Sequence, residues 1–185
     1  LGDDARRIKI DTFVQRRENT APHEFLHHFG DRQVERGRKV TDRHRGRNPN
    51  ALGVARVVQI DTTGGPGFGF EHFKAYDFLR DHEVVLTFDD GPWPGHTPAV
   101  LKALADQCTK ALFFPIGKHA GYRPDIMKQV AAAGHTVGSH TWSHKDRSKR
   151  TEQDGKDEIE KGSAAVSIAL GNQPIGPFFR FPALR

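Results

Sequence analysis

The chain has 185 residues, 36% of them hydrophobic and 28% charged, with a formal net charge of +5 and 11 histidines. That length suits one domain with its own core, and the composition is that of an ordinary globular protein. No apolar run approaches the roughly 20 residues that cross a bilayer, and a single cysteine, Cys108, excludes an internal disulfide.

Residues 1–50 read as a polar, basic N-terminal extension with little periodicity and poor order. They hold 12 Lys and Arg against 8 Asp and Glu, whereas residues 51–185 hold 16 against 15. The opening LGDDARRIKID carries no apolar signal-peptide core. The stretch 31–47, DRQVERGRKVTDRHRGR, concentrates Arg32, Arg36, Arg38, Lys39, Arg43, Arg45 and Arg47. It suits a solvated surface arm, with contact to anionic polymers or phosphate as the alternative. No aromatic side chain is interleaved to stack on bases, which argues against nucleic acid as a partner.

Further along, VARVVQID (54–61) has the pattern of a strand and ends in the Gly/Pro loop TTGGPGFG. HFKAYDFLRD (72–81) suits a short helix, and EVVLTF (83–88) a strand. TPAVLKALADQ (97–107) spaces Val100, Leu101, Leu104 and Ala105 as a helix does. Cys108 follows as a small packing residue, and TKALFFPIG (109–117) predicts a strand. RPDIMKQVAAAG (123–134) begins with Pro and ends with Gly, as helices do. HTVGSH (135–140) predicts a short strand, residues 151–171 a long helix, and FFRFP (178–182) a last strand. This rhythm predicts parallel βα units over residues 51–185. In such folds the active site gathers at the C-terminal ends of the strands.

The chemistry-bearing residues fall at those ends. Asp89 and Asp90 close the strand VVLTFDD, and two adjacent carboxylates there call for a positive partner. HTWSH (140–144) places His140 and His144 four residues apart, a spacing that on a helical turn sets both imidazoles on one side. Two imidazoles and one carboxylate, with a fourth position open, are the donors expected of a catalytic zinc. Successive strand residues point to opposite faces. One Asp can therefore bind the ion while the other takes a proton from the water it acidifies. Arg180, on FFRFP, is the natural cation to keep that base ionised and aimed.

TFDDGP (87–92), HTWSH (140–144) and FRFPAL (179–184) closely resemble the first three motifs of the polysaccharide deacetylase family, also called the NodB homology domain or carbohydrate esterase family 4. The linking segments ALFFPIG and AAAGHTVGSH fit as well, and the resemblance covers roughly residues 83–185. It implies a distorted, incomplete (β/α) barrel and metal-dependent hydrolysis of N- or O-acetyl groups on an acylated polysaccharide or oligosaccharide. It implies Asp89 as base, Asp90, His140 and His144 as ligands, and Arg180 as the residue that holds the base. It also implies the backbone N–H of Ala183 as a donor to the oxyanion. The ion is expected to be Zn2+, with Co2+ and Ni2+ as alternatives. Trp93 and Trp142 are candidates to stack on sugar rings, or equally for packing. A periplasmic or secreted location is expected from the resemblance alone.

Three departures accompany the match. The sequence ends at Arg185, before the fourth and fifth motifs of the family, the last of which carries the general-acid histidine. Leu112 stands where the family often has Thr, and Arg147 where an apolar residue is common. The first departure leaves two rival expectations beside the deacetylase: a catalytically impaired metal- or carbohydrate-binding remnant, and anion or nucleic-acid binding through residues 31–47.

Overall fold

The computed structural model describes residues 7–14, 50–54, 56–61, 83–145 and 151–184, with 7–14, 56–61 and 184 as backbone. Strands β1 (Arg7–Val14), β2 (Arg56–Asp61) and β3 (Glu83–Val84) form an antiparallel sheet in the order β2-β1-β3. Its register sets Ile8 opposite Ile60, Ile10 opposite Val58 and Phe13 opposite Val84. Strand β2 falls where the sequence predicts one, whereas β1 lies in the segment read as an extension without elements. The alternation Arg7-Ile8-Lys9-Ile10-Asp11 is the period of a strand with one apolar face, and its charged members lead a composition-based reading to miss it. The basic stretch 31–47 and the helix expected at 72–81 lie outside the described residues.

A second sheet carries β4 (Thr87–Asp89), β5 (Leu112–Phe114) and β6 (Thr136–Val137), all parallel, in the order β4-β5-β6. A bridge from Ser139 to Phe179 continues it. Between these strands run helices α1 (Thr97–Asp106), α2 (Gly117–Tyr122) and α3 (Pro124–Ala132), and α4 (Glu152–Ala169) follows β6. This is the parallel α/β arrangement expected, and among the described residues it stops short of a closed barrel. Strand β5 is buried throughout, as a strand covered on both faces must be, which is why ALFF reads as a continuous apolar run.

Local signals place the helices. Pro stands in the first turn of α1 and of α3, where a missing N–H costs nothing. Thr151 caps α4: its hydroxyl accepts the Asp154 N–H at 3.2 Å, and the Asp154 carboxylate accepts the Thr151 N–H at 3.3 Å. The apolar faces meet in a core of Leu104, Ala111, Phe113, Ala120, Met127, Val130, Val137 and Val166.

Two expected strands are altered. EVVLTF divides into β3 and β4, because Val84 pairs with β1 while Thr87 pairs with β5 in the other sheet. FFRFP contributes only the Phe179 bridge. It lies tight against Gly138, where a Cβ would stand 2.6 Å from the Phe178 carbonyl oxygen. That close approach lets Arg180 N–H reach the Ser139 carbonyl at 3.1 Å, which sets Arg180 beside His140.

Candidate metal and catalytic site

Three acceptors converge at the C-terminal ends of β4 and β6. Asp90 Oδ1 lies 3.4 Å from His140 Nε2 and 3.2 Å from His144 Nε2. One ligand atom from each residue falls within 4.8 Å of the others. His140 is buried, and its Nδ1 faces the Arg180 carbonyl oxygen at 2.8 Å. A carbonyl only accepts, so Nδ1 carries a proton, and Nε2 is the nitrogen that faces the carboxylate. Asp90 Oδ1 is buried and has no hydrogen-bond partner among the described residues. Two imidazole nitrogens and a carboxylate oxygen that makes no hydrogen bond among the described residues, this close together, form a set of donor atoms that a cation between them would satisfy. The donor set thus fits a divalent ion of the zinc class.

Asp90, beyond the strand end with φ 70, turns towards the histidines, while Asp89, the last residue of β4, faces Arg180. Its Oδ1 accepts from Arg180 Nη1 at 2.9 Å, and the same nitrogen donates to Thr87 Oγ1 at 2.8 Å. The guanidinium also lies over the Phe114 ring, 4.4 Å from its centroid. Arg180 therefore serves both halves, holding Asp89 with its side chain and His140 with its carbonyl.

The imidazoles do not converge by way of a helical turn. Residues 140–144 form an irregular loop in which Thr141 has φ 66 and His144 φ 54, and Asp90 itself has φ 70. These left-handed values are uncommon for side chains of this size. The loop is fixed from outside instead. Gly117 N–H donates to the Thr141 carbonyl at 2.9 Å and Lys118 N–H to the Trp142 carbonyl at 3.0 Å. Both donors belong to the first turn of α2, whose N–H groups lack helical partners.

Ala183 sits three residues beyond Arg180 in the short turn Pro182–Leu184, with φ 55. Trp93 is exposed, its ring 4.5 Å from that of His119. Trp142 is half-buried with Lys161 Nζ over its ring at 4.4 Å, and the α2 glycine Gly117 lies against its edge. Cys108 is half-buried in a left-handed turn after α1.

Two partners of the site escape sequence reading. His119 Nδ1 donates to the Asp90 carbonyl at 2.7 Å, steadying the left-handed residue. Glu158 on α4 binds the loop between the two histidines. The buried glycines Gly155 and Gly162, seven residues apart on α4, are the one signal that something packs closely on that face.

The sequence profile described as polysaccharide deacetylase matches residues 79–185. A peptidoglycan-N-acetylglucosamine deacetylase of Bacillus cereus is 39% identical over 110 residues, covering 58% of this chain and 40% of that protein. A chitooligosaccharide deacetylase of Sinorhizobium fredii is 41% identical over 104 residues, covering 52% and 48%. Among solved structures, the Bc1960 peptidoglycan N-acetylglucosamine deacetylase superposes with a TM-score of 0.52 at 35% identity, over 55% of this chain and 46% of its own. The chain thus spans less than half the length of each of these relatives. The three motifs stand at strand ends within a matched segment that makes up more than half of the sequence, and the chain belongs to the polysaccharide deacetylase family.

Proposed function

We propose that this chain is the metal-holding, water-activating part of a hydrolase that removes acetyl groups from an acylated sugar polymer. The observation that carries the reading is the convergence of Asp90, His140 and His144 beside a separately held Asp89. The names of the relatives point to N-acetylated polymers of the peptidoglycan or chitooligosaccharide class as substrate.

A divalent ion, zinc first by donor chemistry with cobalt and nickel as alternatives, supplies Lewis acidity that acidifies water and polarises an acyl carbonyl. Asp89 accepts the proton of the attacking water. Arg180 holds Asp89 and fixes its direction through the 2.9 Å bond. The Arg180 carbonyl holds His140 in the tautomer that leaves Nε2 free. The backbone N–H of Ala183 is assigned to the developing oxyanion. Trp93, exposed at the rim, offers a face to a sugar ring. Trp142, covered by Lys161, is assigned to holding the loop.

Acetate release from acetylated chitooligosaccharides and peptidoglycan fragments tests the reading on zinc-loaded protein. Asp89→Asn is expected to keep its metal and lose turnover by roughly a hundred- to ten-thousand-fold, the usual contribution of a general base. Full activity in that variant, or undiminished activity in chelator, would overturn it.

A further inference from the structure

Between His140 and His144 the chain adopts a conformation it does not favour by itself. Two of the five loop residues, Thr141 and the ligand His144, sit in the left-handed region. Such residues hold that conformation only when their surroundings over-determine it. A single side chain supplies much of the constraint. Glu158 Oε2 accepts the Ser143 N–H at 2.8 Å, and its Oε1 accepts the Ser143 hydroxyl at 2.7 Å. The Glu158 carbonyl oxygen accepts the Trp142 N–H at 2.8 Å. One turn later on α4 comes Gly162, whose missing Cβ lets the helix backbone lie against Thr141 and Trp142. Loop and helix thus meet backbone to backbone, and the glutamate locks their register.

We infer that Glu158 is a positioning residue for the metal centre: it fixes Ser143 and so sets His144 Nε2 opposite Asp90 Oδ1. The inference rests on the metal reading above. A carboxylate suits the task because its two oxygens accept both Ser143 donors at once, and hydrogen bonds to an ionised acceptor are the stronger kind. Glu158 touches neither water, ion nor substrate in this role. Its effect passes through the loop, as outer partners of metal ligands act in general.

The test is cobalt titration of the metal-free 185-residue chain, read by the d–d absorption of bound Co2+ and by calorimetry. His144→Ala serves as the reference for loss of a ligand. Glu158→Ala is expected to weaken Co2+ binding about tenfold to a hundredfold, the range for removing such outer partners, and to shift the absorption band towards that of His144→Ala. Glu158→Gln, whose amide can still accept from the Ser143 N–H and donate to its hydroxyl, is expected to recover most of that loss. Glu160→Ala, exposed on the same helix, is expected to bind as the parent does. A purely structural glutamate would lower the melting temperature while the folded protein kept its affinity and spectrum, and that result overturns the inference. Should Glu158→Ala fail to fold, Ser143→Ala removes the 2.7 Å bond alone. Unchanged Co2+ affinity and spectrum in Ser143→Ala would then reject the proposal. If His144→Ala binds Co2+ as well as the parent does, it is the metal reading that fails.

Discussion

Arg180 reaches Asp89 and His140 through different atoms, so its side chain and backbone are separable by mutation. Its guanidinium holds Asp89 and Thr87, while its carbonyl holds His140 whatever side chain is present. Arg180→Ala is therefore expected to bind zinc as the parent does and to release acetate roughly ten- to hundredfold more slowly, since a hydrogen bond to a charged group contributes about 1.5–3 kcal/mol. Metal content and acetate release on the same preparation check this; loss of zinc together with activity would show that the side chain shapes the ligand set as well. That Asp89 and Asp90 take different partners was expected from strand alternation, but the chain separates them by a left-handed turn at Asp90, just past the end of β4. The His119 bond to Asp90 was not legible at all. Its partner is a main-chain carbonyl, and every residue has one, so no residue type announces it.

At the scale of elements, the same substitution should have opposite signs in α2 and α4. A Cβ at Gly162 would stand 2.5 Å from the Thr141 carbonyl carbon and 2.8 Å from the Trp142 nitrogen. Both are backbone atoms, so the loop itself must move. Gly162→Ala is expected to destabilise the protein by about 1–3 kcal/mol, as overpacking does, and to weaken zinc binding. At Gly121 a Cβ meets nothing within 4 Å, and Gly121→Ala should stabilise α2 by roughly 0.5–1 kcal/mol by removing chain freedom from the unfolded state. Urea midpoints of the two variants test the pair; a stabilised Gly162→Ala would mean that the loop and α4 are not in backbone contact. Helices α1, α3 and α4 were legible from apolar spacing and from Pro and Gly at their ends. Helix α2 was not: two glycines in six residues speak against a helix, and what holds it is packing against α4 and bonds to the metal loop. The break in EVVLTF was hidden for a like reason, since its two halves are separated by their partners and not by any local punctuation.

For the molecule as a whole, the pH dependence of stability should carry the mark of a histidine far from the ligands in sequence. His135, at the entry to β6, is buried; its Nδ1 accepts from the Ala111 N–H at 3.3 Å, and its ring lies 5.2 Å from that of Phe113. Burial first, and then the charge of Lys110, lower its pKa from 6.5 to about 4. Protonation would also turn Nδ1 from an acceptor into a donor facing another N–H. Above pH 6.5 neither folded nor unfolded chain binds this proton. Between 6.5 and about 4 only the unfolded chain does, so stability falls as the medium is acidified. Below about 4 both states are protonated and this contribution to the slope ends. The slope is at most roughly 1.4 kcal/mol per pH unit, and solvent screening brings the total across the window to on the order of 1–2 kcal/mol. A divalent ion held as proposed would add an acid dependence of its own, because metal ligands must be deprotonated to bind. Such an ion at a hundred times its dissociation constant would add about 2.7 kcal/mol. Chelator removes that part. In chelator, urea unfolding at pH 6.5 and pH 5 should show the parent losing on the order of 1 kcal/mol more than His135→Gln over the interval. Parallel losses in the two proteins would clear His135 of the acid sensitivity.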